Sequence, residues 1–361
     1  MYKSIHTQKG IKGVRLVNGS KIFGYTNGDL IINSKKIQAN VDTVIESLKI
    51  FASYLFFDSF DNSYMYDLSN GKLYSIGTFR AYPSSLERNE IICTYDSVYY
   101  NKKFSWKTGL YNYEENRLIK EYFFLRDISI AYFLNKEVVI TWQNMVLLNS
   151  ISLLTGEYEW ELDLSGRKNP EGSREENAQI EQLVGVWQNQ LIITLSNGEL
   201  VSVDTQTGNI LWETQQLGTQ INQGPPYQWR GHLSFNGCHI ENGKLYEMVG
   251  SVYYCIDLIT QAVEILWQDQ RTEEYVTVQH RTYTEDYIYF TGSFNGTFQP
   301  HIVGVFNRKT LSLEWVEDMS LPILPSMGYP PSLNQAPQVD GDKLYVLDSG
   351  GTLHIFEKEN D

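Results

Sequence analysis

The stretch VSVDTQTGNILWE, at residues 201–213, constrains the fold of this chain more than any other feature. A short apolar run leads to Asp204, a Thr-Gly pair follows, and the next run reaches Trp212. An aspartate at a strand end starts a turn by accepting backbone N–H groups two residues on, and Gly208 tolerates the positive φ that closes a hairpin. The stretch therefore predicts two antiparallel strands joined by a tight turn, with a tryptophan on the second strand.

Weaker copies of this stretch recur about every fifty residues, a period typical of repeat folds. The same spacing from an Asn or Ser anchor leads to Trp160 and to Trp315. A further copy begins at Asp257 and reaches its tryptophan, Trp267, two residues late. Four strands of five or six residues fill such a period, which favours a β-propeller of four-stranded blades. We expect each blade to bury its indole against the next, so that the ring must close.

The number of turn anchors predicts the number of blades. Anchors fall near residues 33, 67, 114, 152, 204, 257, 307 and 357. Eight anchors predict eight blades, and seven is the alternative if one early anchor is spurious. The last blade lacks an outermost strand, and the N-terminal YKSIH can supply it, which would close the ring by pairing the N- and C-terminal strands. With 25 Tyr, 16 Phe and 8 Trp, the composition also suits an all-β fold. We predict that residues 1–361 form a single β-propeller domain.

The segment SVDTQTGNILW, residues 202–212, resembles the tryptophan-docking motif of the quinoprotein-like, or PQQ-like repeat, β-propellers. That motif has the form Ala-x-Asp-x-x-Thr-Gly-x-x-x-Trp, and only its first position differs here, where Ser202 replaces alanine. The resemblance extends over roughly residues 145–320. It implies that one set of residues docks each blade on its neighbour: Asp204, Gly208, Trp160, Trp212, Trp267 and Trp315.

The quinoprotein-like family includes dehydrogenases that carry pyrroloquinoline quinone and scaffolds without a cofactor. The resemblance implies that its enzymes have adjacent cysteines over the quinone, a calcium ion held by Glu and Asn, and an Asp base. The three cysteines of this chain, Cys93, Cys238 and Cys255, are not adjacent, and its six histidines are scattered. We therefore expect no cofactor, metal or catalytic residue. A quinone-dependent or sugar-active enzyme that uses the central channel stays as an alternative.

The formal net charge of −14 limits the classes of partner. An acidic surface repels phosphate, which disfavours nucleic acid and anionic membranes. The N-terminal MYKSIHTQKGIKGV has no apolar segment, and a sparse, odd set of cysteines is typical of a reducing compartment, so we expect a cytoplasmic protein. The same charge allows a second hypothesis, an inhibitor or immunity-type protein that binds a basic enzyme.

Three long links between predicted blades fall at 163–182, 216–233 and 318–337, and the last two carry the candidate binding residues. In a propeller such links cross one face, and loops of this length in a compact fold are usually functional. Aromatic and arginine side chains are favoured at binding hot spots. We predict a non-catalytic scaffold that binds a protein or peptide through Tyr227, Trp229, Arg230, His232, Met327 and Tyr329. The alternative is that Trp229 and Tyr329 only plug the mouth of the channel.

Overall fold

A computed structural model describes most of the chain, and the structural statements below refer to the described residues. These are residues 1–17, 20–25, 29–37, 47–51, 54–58, 63–77, 80–82, 90–100, 103–112, 115, 117–122, 131–134, 138–143, 145–169, 175–214, 238–297, 299–319, 321–323 and 328–359. Their secondary structure consists of strands and turns, which confirms the all-β prediction. None of them belongs to a helix long and apolar enough to cross a membrane.

The described strands form eight antiparallel sheets of four strands each, in two compact units. Residues 1–42 and 218–361 make up unit 1, and residues 43–217 make up unit 2. In seven sheets the four strands follow one another along the chain, so each strand pairs with its sequence neighbour. This meander is the arrangement of a propeller blade. Whether residues 1–361 act as a single domain stays a prediction.

Unit 1 contains four of the sheets. The first consists of β2 (Ile11–Val17), β3 (Ser20–Tyr25), β4 (Leu30–Ile32) and β5 (Lys35–Ile37). The second consists of β22 (His239–Glu241), β23 (Lys244–Val249), β24 (Val252–Asp257) and β25 (Val263–Gln268). The third consists of β26 (Val276–Tyr283), β27 (Tyr287–Phe294), β28 (Ile302–Asn307) and β29 (Ser312–Asp318). The fourth joins β30 (Gln338–Asp340), β31 (Lys343–Leu347) and β32 (Thr352–Lys358) to β1 (Tyr2–Lys9).

Unit 2 contains the other four sheets, each made of consecutive strands. They are β6 (Ser47–Phe51), β7 (Tyr54–Asp58), β8 (Ser63–Asp67) and β9 (Leu73–Gly77); β10 (Arg80–Tyr82), β11 (Glu90–Tyr100), β12 (Lys103–Asn112) and β13 (Arg117–Tyr122); β14 (Ala131–Phe133), β15 (Val138–Gln143), β16 (Leu147–Ser152) and β17 (Tyr158–Asp163); and β18 (Ile180–Trp187), β19 (Gln190–Leu195), β20 (Leu200–Asp204) and β21 (Ile210–Thr214).

Strand β1 is the one edge strand that comes from a distant part of the chain. It pairs antiparallel with β32, from Tyr2 opposite Lys358 to Lys9 opposite Thr352. Tyr2 is buried, with its ring 5.3 Å from that of Trp315 in the adjacent sheet and edge-on to Tyr289. The N-terminal strand therefore covers both the free edge of β32 and part of the core between two sheets of unit 1.

The turn between the third and fourth strands has the same hydrogen bonds in several sheets. In the turn at Asp204, the carboxylate accepts the N–H groups of Gln206 and Thr207 at 2.9 and 2.8 Å, and Gly208 donates to the Asp204 carbonyl. Asp257 and Asn307 accept two N–H groups in the same way. The fourth residue after the anchor has a positive φ in five such turns, at Gly71, Gly156, Gly208, Gln261 and Leu311.

Each sheet has one outer edge strand, which is β1 in the sheet β30–β32 and the fourth strand in the other seven, and seven of these eight carry a one-residue bulge. In β21, for example, Ser202 pairs with Trp212 and Val203 pairs with Ile210, so Leu211 has no partner. The equivalent residues are Ile5, Ile76, Ile119, Glu159, Leu266 and Glu314. A bulge bends an edge and interrupts its ladder, which protects the edge from pairing with another strand.

Glycine at position 261 should stabilise the protein. Gln261 has a φ of 59°, a left-handed conformation that costs a non-glycine residue free energy, while the equivalent residue in three other turns is glycine. Because Gln261 is exposed, Gln261→Gly removes little packing, and we expect the free energy of unfolding to rise by about 0.5–1 kcal/mol. Ile259→Gly is the matched control, since Ile259 lies in the same turn without a positive φ and should lose stability. Urea unfolding measures both, and a loss with Gln261→Gly would contradict this account.

Candidate binding surface

The loop after β29 combines a fixed base with an exposed tip. At its base, Leu333 is fully buried and donates its N–H to the Pro300 carbonyl at 2.9 Å. Thr291 donates its hydroxyl to the Leu333 carbonyl, and Thr282 donates to the Pro337 carbonyl. These bonds hold residues 333–337 against the sheet β26–β29.

The tip of this loop exposes apolar side chains. Tyr329 is 50% exposed and Ile323 is 64% exposed, although both are large and hydrophobic. A tyrosine ring on an anchored segment offers contact area with little loss of side-chain entropy on binding. Residue Tyr329 thus has the exposure that the predicted role in binding requires.

Two further segments border this loop along the same edge of the sheet. The Met319 N–H donates to the His301 carbonyl, which connects the loop to the turn between β27 and β28. The Asn295 N–H donates to the Tyr275 carbonyl, which connects that turn to the link between β25 and β26. We call the described residues of 269–275, 295–301 and 319–337 the loop face.

Five of the six residues predicted to bind a partner lie outside the described part of the chain. These are Tyr227, Trp229, Arg230, His232 and Met327. Their role in binding therefore stays a prediction. Tyr329 is the one predicted residue of this set that the structure describes.

The link at 163–182, in unit 2, differs from the loop after β29. Its described residues fold back on themselves, with Lys168 bridged to Asn177, and they bury Leu164 and Ala178. Arg167 forms ion pairs with Glu199 and Glu213. Its described apolar side chains are buried and support the fold, so the described part of this link offers a partner charge but no apolar anchor.

Trp160 contacts the turn of the neighbouring sheet in unit 2. Its indole N–H donates to the Thr205 carbonyl at 3.0 Å, and its side chain is buried. A Cβ atom on Gly208 would lie 2.7 Å from the indole ring, closer than real contacts allow. The ring therefore occupies the space that the missing side chain of Gly208 leaves. The Asp204 carboxylate accepts N–H groups of the same turn, chiefly that of Thr207, and these bonds lower the pKa of the carboxyl.

The other three tryptophans of the predicted docking set have different surroundings. Trp315 is buried between Tyr2 and Phe356, each with its ring centroid 5.3 Å away. Trp267 lies 5.0 Å from the ring of Phe306 in the next sheet. Trp212 donates its indole N–H to Gln190 of its own sheet at 2.9 Å. All four directly follow the bulge of their edge strand.

A lysine takes the position of the tryptophan in the sheet β10–β13. Asn112 is the anchor there, and Lys120 follows the bulge at Ile119. The Lys120 ammonium donates to the Leu154 carbonyl at 2.7 Å and approaches the Leu153 carbonyl at 3.4 Å. Sequence reasoning missed this contact, because it sought an aromatic residue at this position.

A group of buried polar side chains joins two sheets of unit 1. Glu247 of β23 forms an ion pair with Arg281 of β26, and their side chains are 0% and 1% exposed. The Tyr254 hydroxyl and the Cys238 thiol donate to the other carboxylate oxygen, at 2.8 and 3.1 Å. We call these four residues the buried charged cluster.

The electrostatics of the buried charged cluster disfavour nucleophilic chemistry. Burial raises the pKa of Glu247 above its ordinary value, although Arg281 opposes the shift. Burial, with Glu247 nearby, raises the pKa of the Cys238 thiol well above its ordinary value. A thiol needs a lowered pKa to react at neutral pH, so Cys238 is a structural group here. Among the described residues, no set of three His, Cys, Asp or Glu side chains is placed to hold a metal ion.

Arg308, the residue after the Asn307 anchor, makes a second polar connection between the same two sheets. It donates to Glu241 at 2.7 Å and to the Tyr253 hydroxyl at 3.2 Å. Its guanidinium lies 5.3 Å from the ring centroid of Tyr246 and 5.9 Å from that of Tyr283. This set of contacts joins the sheets where the tryptophan motif is imperfect.

Comparison with known proteins identifies the fold. The C-terminal WD40 domain of Sif2 matches with a TM-score of 0.65 at 10% identity, covering 100% of this chain and 99% of that one. BamB from Moraxella catarrhalis matches with a TM-score of 0.60 at 12% identity, covering 99% and 100%. The computationally designed Ika8 protein matches with a TM-score of 0.61 at 9% identity, covering 98% of each chain. No protein family model and no curated protein matches the sequence. The chain therefore has a β-propeller fold, and these identities show the fold alone.

Proposed function

We propose that this protein is a non-catalytic platform that binds a protein or peptide through its loop face. The observation that carries the proposal is the loop after β29, whose base is fixed at Leu333 and whose tip exposes Tyr329 and Ile323. We further propose eight blades, closed into a ring by β1 on β32, a relation to the PQQ-like repeat propellers, and a cytoplasmic location. Propellers host many unrelated functions, so the surface and not the fold carries the proposed role.

The edges of the sheets support the choice of the loop face. Bulges interrupt seven edge strands, and an interrupted edge is a poor template for strand addition. Exposed apolar residues do occur on these edges: Ile5, Ile119 and Leu211 are bulge residues, and Tyr158, Ile210 and Ile265 lie directly before a bulge. The described residues of the loop face have no such bulge, and they include exposed apolar residues in a loop that backbone hydrogen bonds anchor.

Site-specific crosslinking tests this proposal. A photoreactive phenylalanine analogue replaces Tyr329 in one variant and Ile119, an exposed edge residue, in the control. We expect one discrete crosslinked partner at position 329 in extracts of the native host, and none at position 119. Because Tyr329 is half exposed, Tyr329→Ala should also leave the melting temperature unchanged. Crosslinks at position 119 but not at position 329 would overturn the choice of face.

A further inference from the structure

We propose that the loop face receives a partner segment that combines lysine or arginine side chains with one apolar anchor. This inference rests on the binding role proposed above and names the chemical class of the partner. The loop after β29 supplies the apolar half of the surface, through Ile323 and Tyr329. The residues around it supply the charge.

The exposed charges of the loop face and of the adjoining end of β29 are predominantly negative. Glu273 and Glu274 are exposed in the link before β26, and Glu317 and Asp318 are exposed where β29 leads into the loop. Residues 319–337 contain no Lys, Arg or His. A partner with the opposite charge gains both a faster encounter and a preferred orientation from such a surface.

The one arginine of the loop face does not offset this charge. Arg271 donates through Nε and Nη2 to both carboxylate oxygens of Asp269. Burial alone would raise the pKa of Asp269, but the bonds from Arg271 and from the Val276 N–H lower it, so the carboxylate stays ionised. Arg271 is thus neutralised within the protein, and the carboxylates of Glu273, Glu274 and Glu317 define the field that a partner meets.

The geometry favours a segment with both features over a merely basic one. Carboxylates on a solvated surface attract any cation weakly, and salt screens that attraction. An aromatic side chain on a fixed base adds contact area at one place, which selects partners that carry an apolar group between their charges. The two halves border the same sheet edge, because backbone hydrogen bonds at Tyr275, Pro300 and His301 connect the three segments.

Matched peptides test the inference on the full-length protein. The first ten-residue probe has four lysines around a central leucine, the second replaces lysine with glutamate, and the third replaces leucine with serine. We expect the first to bind in fluorescence anisotropy at 50 mM salt, the second not to bind, and the third to bind at least fivefold more weakly. Tyr329→Ala should lower the affinity for the first peptide to that for the third, and leave the affinity for the third unchanged.

Charge variants distinguish attraction of the peptide to Glu273 and Glu274 from attraction to the net negative charge of the protein. Glu273→Gln with Glu274→Gln should weaken the first peptide by roughly three- to tenfold, since exposed pairs contribute modestly. Glu285→Gln with Glu314→Gln, at other exposed positions of the same sheet, removes equal charge and should change the affinity less than twofold. Equal effects of the two pairs, or equal binding of the lysine and glutamate peptides, would overturn the inference. If position 329 still crosslinks to a partner in that case, the proposed binding platform stands and only the proposed class of partner fails, so the two failures are distinguishable.

Discussion

Replacing Arg281 with leucine should lower the free energy of unfolding by about 3–5 kcal/mol, the cost of leaving a buried partner charge unpaired. Glu247 would then lie fully buried beside a hydrocarbon, with only Tyr254 and Cys238 as hydrogen-bond donors. Urea unfolding measures the loss. A loss below 1 kcal/mol would show that the pair is solvated in the folded protein.

Replacing the other polar groups of the cluster as well should restore the stability of the protein. Each anchor pairs with one residue of the second strand, Asp257 with Lys244 and Asp204 with Gln190. Glu247 and Ile193 each lie three residues after that paired residue, so Glu247 corresponds to Ile193 of the sheet β18–β21. By the same count, Arg281 corresponds to Leu183 and Tyr254 to Val201. The triple variant Glu247→Ile, Arg281→Leu, Tyr254→Phe removes the polar groups together, and its stability should equal or exceed that of the original protein.

The triple variant also decides what the buried charged cluster does. The three corresponding positions of the sheet β18–β21 are all buried and apolar, so a sheet of this fold accepts apolar side chains at each of them. If the triple variant is stable but populates misassembled or dimeric forms, the ion pair specifies which sheets meet. If it is stable and monomeric, the cluster has no such role.

The turns were the most predictable part of the structure, because their physics is local. An Asp or Asn anchor with a left-handed residue four positions on fixes a hairpin through bonds within six residues, and Asp204 and Asp257 make those bonds. The late position of Trp267 has an equally local cause. The bulge of β25 falls at Leu266, two residues further from the anchor than in β17 or β21, and the tryptophan moves with it.

Other features lay beyond sequence reasoning because they depend on distant residues. Glu247 and Arg281 are 34 residues apart, and a single Glu in a strand reads as a solvated charge until its sheet neighbours are known. Lys120 takes the position of a tryptophan without sharing any of its chemistry except an N–H donor. The faint copy near residue 114 gave no reason to count eight residues from Asn112.

The candidate binding surface was predictable in part. Length and aromatic content pointed to the loop at 318–337, and Tyr329 is exposed there. The sequence already favoured this loop over the link at 163–182, which has the same length but is rich in charged residues. The structure adds a difference in the burial of apolar side chains: Leu164 and Ala178 of that link are buried, while Ile323 of the loop is exposed.

Truncating Trp160 should have the second large effect, because its indole both fills a buried space and donates to the Thr205 carbonyl. We expect Trp160→Ala to lower the free energy of unfolding by about 3–5 kcal/mol. Gly208→Ala should also be destabilising, by about 2 kcal/mol or more, since it adds a Cβ at 2.7 Å from the ring to a left-handed residue.

A double-mutant cycle isolates the contact between this ring and this glycine. In the Trp160→Ala background the added methyl meets no ring, so Gly208→Ala should cost only the left-handed conformation, about 1–2 kcal/mol. Gly166→Ala is the control for that term, because Gly166 has a φ of 87° and nothing within 4 Å of its Cβ position. If Gly208→Ala costs the same in both backgrounds, the ring yields to the methyl and the turn is not its docking site. A cost that falls to the Gly166→Ala value once the ring is gone would establish that this turn needs glycine because a neighbouring sheet places an indole against it.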